Sequence, residues 1–114
     1  MAVAMFVRSP ELRRSEYDRL IARLDLDANP PVGQLLHLAV EREELVECVE
    51  VWRTAASALA YLETRLGPRL EGLGAGAPEV DLVPLHNLFA PDVDAIGLLG
   101  GVSLPARVAG AALS

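Results

Sequence analysis

His37 and Glu50 lie in two largely apolar stretches, Gln34 to Val40 and Leu45 to Trp52, on either side of the charged run Glu41-Arg42-Glu43-Glu44. That run has the length of a hairpin turn. Folding about Arg42 and Glu43 sets Val40 opposite Leu45 and His37 opposite Cys48. Side chains alternate along a strand, so His37 shares a face with Leu35 and Ala39. The same face of the next strand carries Val46, Cys48, Glu50 and Trp52. Glu50 is then diagonal to His37 and within its reach. A carboxylate beside an imidazole fixes its tautomer and strengthens it as a base. Such a pair can take a proton from a phenol or from a carbon next to a carbonyl. The residues also fit a blander arrangement. His37 is then a core histidine with its hydrogen bonds met, and Glu50 pairs with an arginine across a subunit interface, because a buried carboxylate must be paired or neutral.

Trp52 is the one tryptophan of the chain. At a strand end it can wall a cavity and stack on an aromatic substrate, or it can anchor the sheet to the following helix. His86 and Asn87 are adjacent near the end of the last apolar stretch and point to opposite faces. Either can hold a substrate carbonyl or an oxyanion, and either can tie a strand end to a loop. Tyr17 and Tyr61 sit on helical stripes that reach toward the sheet, as packing residues or, for Tyr61, as a substrate contact. Cys48 faces the same way as His37 but has no anion hole or helix start near it in sequence, and it reads as a structural cysteine. The chain has no CxxC, no HxxxH, no GxGxxG and no P-loop. Neither a protein-held metal nor any other cofactor is expected.

The elements that must position these residues follow from periodicity. Ala2 to Val7 reads as a buried strand. Ser9-Pro10-Glu11 reads as a helix start with Ser9 as cap. Leu12, Tyr17, Leu20, Ile21 and Leu24 continue at helical spacing, and the helix stops by Ala28 before Asn29-Pro30-Pro31. Two strands follow, Gln34 to Val40 and Leu45 to Trp52. Thr54 caps a second helix with the stripe Ala55, Ala58, Leu59, Leu62 and Leu66, interrupted at Gly67-Pro68, after which Arg69-Leu70-Glu71 can add a final turn. After the loop from Gly72 to Pro78, Val80 to Leu88 forms a fourth strand. Pro84 assigns that strand to an edge. The order β, α, β, β, α, β predicts a ferredoxin-like α+β domain with a four-stranded antiparallel sheet in the order 4-1-3-2 and both helices on one face. The domain spans residues 1–90, and residues 91–114 form an apolar extension that can wrap a partner or cap a cavity.

Length and composition set the bounds. The chain has 114 residues, room for one domain. Hydrophobic residues make up 52%, and the mean hydropathy is +0.30. One small core does not absorb that excess, so an interface or a ligand cavity is expected. Apolar residues on both sheet faces point the same way: two copies can pack their bare faces together into a barrel. The net charge is −6, and every basic residue is an arginine scattered among acids. Nucleic-acid binding and docking on an anionic membrane are therefore not expected. The single cysteine fits a reducing cytoplasm. The start MAVAMFVRSP lacks the basic region of a signal peptide, and no apolar run is long enough to span a bilayer.

The segment VECVEVWRTAASALAYLETRL, a strand ending in Trp52 that runs into a capped helix with small side chains, resembles the antibiotic-biosynthesis monooxygenase-like members of the dimeric α/β-barrel superfamily. GQLLHLA before it and EVDLVPLHNLF after it fit the flanking strands, so the resemblance covers residues 2 to 90. It implies a homodimer with a site for an apolar small molecule. The superfamily's activities include cofactor-independent oxygenation of aromatic polyketides in secondary metabolism, lactone isomerisation and haem degradation. The haem-degrading pattern pairs an Asn on the first strand with a His on the second helix. This chain has Met5 and Phe6 on that strand and no His between Thr54 and Leu66. Trp52 is the one residue the resemblance carries over directly. Asn87, Tyr61 and Arg53 match in type the Asn, Tyr and Arg of the oxygenase branch.

Two functions are expected from these features. The first is a small cofactor-independent oxygenase, isomerase or cyclase acting on a mostly apolar, cyclic molecule. It would use His37, Glu50 and Trp52 for catalysis and His86, Asn87 and Tyr61 to bind substrate. The second is a non-catalytic module of the same fold that binds a hydrophobic ligand or a protein.

Overall fold

The computed structural model describes residues 1–96. Four strands, β1 (Val3–Arg8), β2 (Gln34–Arg42), β3 (Leu45–Trp52) and β4 (Glu79–Pro84), form one sheet in the order β2-β3-β1-β4. Every neighbouring pair is antiparallel. The order is the one expected from the sequence. Helix α1 (Arg14–Leu24) follows β1. A second helical run follows β3, made of α2 (Ala55–Tyr61), a π-helical turn (Leu62–Leu66) and α3 (Gly67–Gly72). A single turn, α4 (Val93–Ile96), ends the described chain. The expectation that residues 91–114 wrap a partner or cap a cavity falls mostly outside the described residues.

The core lies between one sheet face and the helices. Val3, Met5, Val7, Val46, Cys48 and Trp52 meet Leu20 and Leu24 of α1, with Ala58, Tyr61, Leu66 and Leu70 of the second helical run. Cross-strand partners share a face, so the register places His37 and Glu50 on this helix-covered side as well. The outer face is apolar and open at Leu38, Val40 and Val83, each about 40% exposed.

The β2–β3 hairpin departs from the expected pairing. Its turn is two residues, Glu43 and Glu44, both with positive φ (53° and 69°). That twist matches the twist of the strands it joins. Arg42 pairs with Leu45, Val40 with Glu47, and His37 directly with Glu50. The expected partners, Val40 with Leu45 and His37 with Cys48, are two positions off. A slip of two preserves which face each side chain takes, so His37 and Glu50 stay together. Leu35 corrects a second expectation. It is the extra residue of a bulge between Gln34 and Leu36, and it is exposed instead of sharing the face of His37. Beyond the bulge, Gln34 pairs with Trp52 and takes the helix face.

The helices also differ from the sequence pattern. α1 begins at Arg14, and Ser9 caps nothing. The backbone of that segment is held by tertiary bonds: Glu11 N–H donates to Ala75 (3.0 Å), and Val46 N–H donates to Leu12 (2.8 Å). Thr54 does cap α2, its Oγ1 accepting from Ser57 N–H at 3.1 Å. Gly67-Pro68 does not interrupt the second helical run. Pro68 has no N–H to give, and its ring crowds the carbonyl a turn earlier. The wide turn before it, in which Gly67 N–H donates to Leu62, lets the helix pass through. Leu59 leaves the buried stripe and is 44% exposed, because the sheet-facing line runs through Ala58 and Tyr61. β4 ends at Pro84, short of Leu88, because β1 starts at Val3 and offers no strand to pair with further on. Pro84 does stand at the sheet edge, as expected.

Candidate functional site

β3 and β2 deliver a carboxylate and an imidazole to one point under α1, and α1 delivers a phenol to the same point. Glu50 Oε2 lies 2.8 Å from His37 Nδ1. Tyr17 OH lies 2.8 Å from His37 Nε2, and the two ring planes are within 10° of parallel. Trp52 Nε1–H donates to Glu50 Oε1 at 3.3 Å. The sequence periods explain the convergence. Glu50 and Trp52 are two apart on one strand and so share its face. His37 stands opposite Glu50, and Tyr17 belongs to the buried stripe of α1 with Leu20 and Leu24. The Glu50 side chain is 1% exposed and that of His37 18%, so the network opens to solvent at the imidazole end.

Donor and acceptor roles follow from the chemistry. An indole N–H can only donate. With Glu50 as the carboxylate, each of its oxygens accepts one bond, from Trp52 and from His37 Nδ1–H. His37 Nε2 is then an acceptor, and Tyr17 donates its hydroxyl hydrogen to it. Burial raises the Tyr17 hydroxyl well above the usual phenol range, and the negative charges that Cys48 and Glu50 can carry push the same way, so Tyr17 stays protonated. Glu41, next but three along β2, is tied to Arg14 at 2.7 Å and does not reach this chain of bonds. The phenol keeps a lone pair for a proton donor that approaches it, and the imidazole behind it can take up the phenol's own proton.

Of the residues singled out in the sequence, His37, Glu50 and Trp52 are therefore brought together. Tyr61 packs on Trp52 with ring centroids 5.0 Å apart. Its hydroxyl is buried without a hydrogen-bond partner among the described residues. His86 and Asn87 are exposed in the segment after β4, past the end of the sheet. Tyr17 was visible only as one member of an apolar stripe, and no motif marks it as a site residue. Gln34, opposite Trp52, depends on a bulge that alternation does not predict. Two open concavities on the described surface are charged and hold none of these residues. One is lined by Arg13, Arg14, Ser15, Asp18, Glu41 and Glu44, the other by Arg23, Leu24, Asp25, Asn29, Arg65 and Arg69. Among the described residues no group of three or more His, Cys, Asp or Glu could hold a metal ion.

Cys48 shares the buried face but stands outside the hydrogen-bonded chain. Burial first, then Glu50 and Glu47, pushes its thiol from 9.0 up to about 12. The fold favours the neutral thiol. That contribution is whole below the unfolded value and is lost as pH rises toward the folded one. Urea midpoints should therefore fall between pH ~8 and pH ~11, and iodoacetamide should label the native thiol far more slowly than the unfolded one at pH ~8. Rapid labelling of the native protein, with a flat midpoint, would contradict this placement of Cys48.

No family model matches the sequence, and no curated protein matches it. Solved structures do match the fold. A protein of unknown function from Nitrosomonas europaea is 21% identical over 79% of this chain and 94% of its own, with a TM-score of 0.63. SnoaB, a cofactor-independent oxygenase from Streptomyces nogalater, is 16% identical over 77% of this chain and 96% of its own, with a TM-score of 0.58. A candidate antibiotic biosynthesis monooxygenase from Caulobacter crescentus is 13% identical over 75% of this chain and 91% of its own, again with a TM-score of 0.58. The architecture is thus the ferredoxin-like fold of antibiotic-biosynthesis monooxygenase-like proteins, as the segment around Trp52 suggested. At these identities the likeness concerns the fold.

Proposed function

Starting from that fold, we propose that the chain is a small cofactor-independent acid–base enzyme that takes a proton from a mostly apolar, cyclic molecule. The observation that carries this reading is the chain of bonds from Tyr17 through His37 to Glu50, closed by Trp52. A substrate hydroxyl, or a carbon next to a carbonyl, gives its proton at the Tyr17–His37 end. Glu50 steadies the imidazolium that forms, and the apolar surroundings favour a substrate that spreads its new charge over a ring. The resulting anion then reacts with dioxygen, isomerises or cyclises. The same fold in a cofactor-independent oxygenase supports the first of these outcomes.

A carbon-acid assay tests the reading without the native substrate. Hydroxytetralone, a bicyclic ketone with a phenolic hydroxyl, should gain deuterium next to its carbonyl faster in heavy water with the protein than without it. Mass spectrometry reads the exchange. No acceleration over buffer, for this ketone or for hydroxylated anthracenones, would remove the enzyme and leave the hydrophobic-ligand module.

The same reading includes a homodimer formed through the outer sheet face. Leu38, Val40 and Val83 expose apolar surface there, which a second copy would cover. Native mass spectrometry should find twice the 12.2 kDa of one chain, and Leu38→Asp should return it to a monomer. A wild-type monomer would contradict the dimer. No helix among the described residues is long and apolar enough to cross a membrane. The buried free thiol of Cys48 suits a reducing compartment, and we place the homodimer in the cytoplasm.

A further inference from the structure

Two buried polar atoms near Trp52 have no partner among the described residues, Gln34 Nε2 and Tyr61 OH. Buried polar groups are nearly always hydrogen-bonded, so two orphans beside one side chain call for a reason. Gln34 reaches this place by a construction the fold does not otherwise need. In an unbroken strand Leu36 and Gln34 would both point to the outer face, and Leu35 would point inward. The bulge at Leu35 turns an apolar residue out and a polar one in, so that Gln34 stands opposite Trp52. The approach is also fixed from behind. Gly33 has φ +87°, and a side chain there would meet Ser57 at 2.9 Å. Its carbonyl accepts from Arg53 N–H at 2.8 Å. Tyr61 is held as firmly: its ring packs on Trp52, and the Arg65 guanidinium lies 5.6 Å from the ring centre on its way to the Leu24 carbonyl at 2.8 Å.

Both orphans can donate. The amide nitrogen of Gln34 only donates. The Tyr61 hydroxyl is held protonated by burial and by Glu50, against a smaller opposing pull from Arg65. Two donors without an acceptor thus belong to residues that adjoin one indole, Gln34 across the strand pair from it and Tyr61 packed on its ring, while the indole's own N–H is already committed to Glu50. We propose that Gln34 and Tyr61 form a specificity clamp that holds a carbonyl oxygen of the bound molecule beside Trp52. The substrate class is then a cyclic ketone, held by its carbonyl oxygen with its acidic proton turned toward the Tyr17–His37 end. This inference rests on the proposed proton-transfer site and assigns the part of it that recognises the substrate. A site built to hydrogen-bond one oxygen rejects the analogue that lacks it, because the donors are then buried unmet.

The test compares two probes that differ only in that oxygen, hydroxytetralone and hydroxytetralin. Binding is followed by the fluorescence of the one tryptophan, Trp52. The wild-type protein should bind the ketone about 10-fold or more tightly than the tetralin. Gln34→Met and Tyr61→Phe should each remove most of that preference and leave tetralin binding unchanged. Neither should lower the urea midpoint, since each removes an unpaired buried donor. Equal binding of the two probes by the wild-type protein would overturn the clamp and leave the proton relay standing, and so would a clear loss of stability in either variant. Failure to bind either probe would overturn the clamp and the proposed function together.

Discussion

Trp52→Ala should bring the chain to the edge of unfolding. The indole is fully buried at the end of β3, packs against Tyr61 and donates to Glu50. Emptying such a site costs about 3–5 kcal/mol. The Glu50 oxygen left without a donor adds about 1–3 kcal/mol. A domain of this size has roughly 5–15 kcal/mol in total. Trp52→Phe separates the two contributions. It keeps most of the ring and removes the N–H, so its cost should be close to the smaller figure alone. Urea unfolding followed by circular dichroism, which does not depend on the tryptophan, should rank the proteins wild type, Trp52→Phe, Trp52→Ala. A Trp52→Ala protein with a wild-type midpoint would mean that the indole is not the anchor described.

His37→Asn should abolish proton transfer and spare the fold. The asparagine amide can stand where Nδ1 stood and still donate to Glu50, so the buried carboxylate keeps a partner. Nothing remains at the place of Nε2 to accept from Tyr17. General acid–base groups contribute about 10²–10⁴-fold, and deuterium exchange into hydroxytetralone should fall by a factor in that range. His37→Ala should lose as much activity and also lose stability, because it leaves Glu50 Oε2 without a donor on a side chain only 1% exposed. Tyr17→Phe acts in the same relay, so adding it to His37→Asn should change little further. A His37→Asn protein that exchanges at the wild-type rate would remove His37 from the mechanism.

The topology could be read from the sequence because each element keeps one period and ends at a strong signal. β3 runs from Leu45 to Trp52 as expected, and Pro84 requires the edge where it stands. The pairing of His37 with Glu50 is legible even though the turn is not, since moving the turn from Arg42-Glu43 to Glu43-Glu44 shifts the register by an even number. Four features were not legible. The start of α1 depends on tertiary bonds from Glu11 and Leu12 to distant backbone, which no local cap can reveal. The bulge at Leu35 adds one residue where alternation assumes none, and so hid Gln34. Tyr17 looked like packing because a stripe shows which side of a helix faces the sheet, and not which atom its hydroxyl meets. His86 and Asn87 fall beyond β4 for a related reason: the reach of an edge strand is set by its neighbour, here by Val3 at the start of β1.

Tyr17, His37 and Glu50 form one directional chain of hydrogen bonds, and nitrogen NMR of the two histidines reads that direction at the imidazole. His86 is exposed and serves as the internal reference. Long-range proton–nitrogen correlation should show neutral His37 with its proton on Nδ1 and a bare Nε2, and Tyr17→Phe should shift the Nε2 resonance. A His37 that carries its proton on Nε2, or whose Nε2 does not respond to the loss of the Tyr17 hydroxyl, would contradict the relay and the function drawn from it.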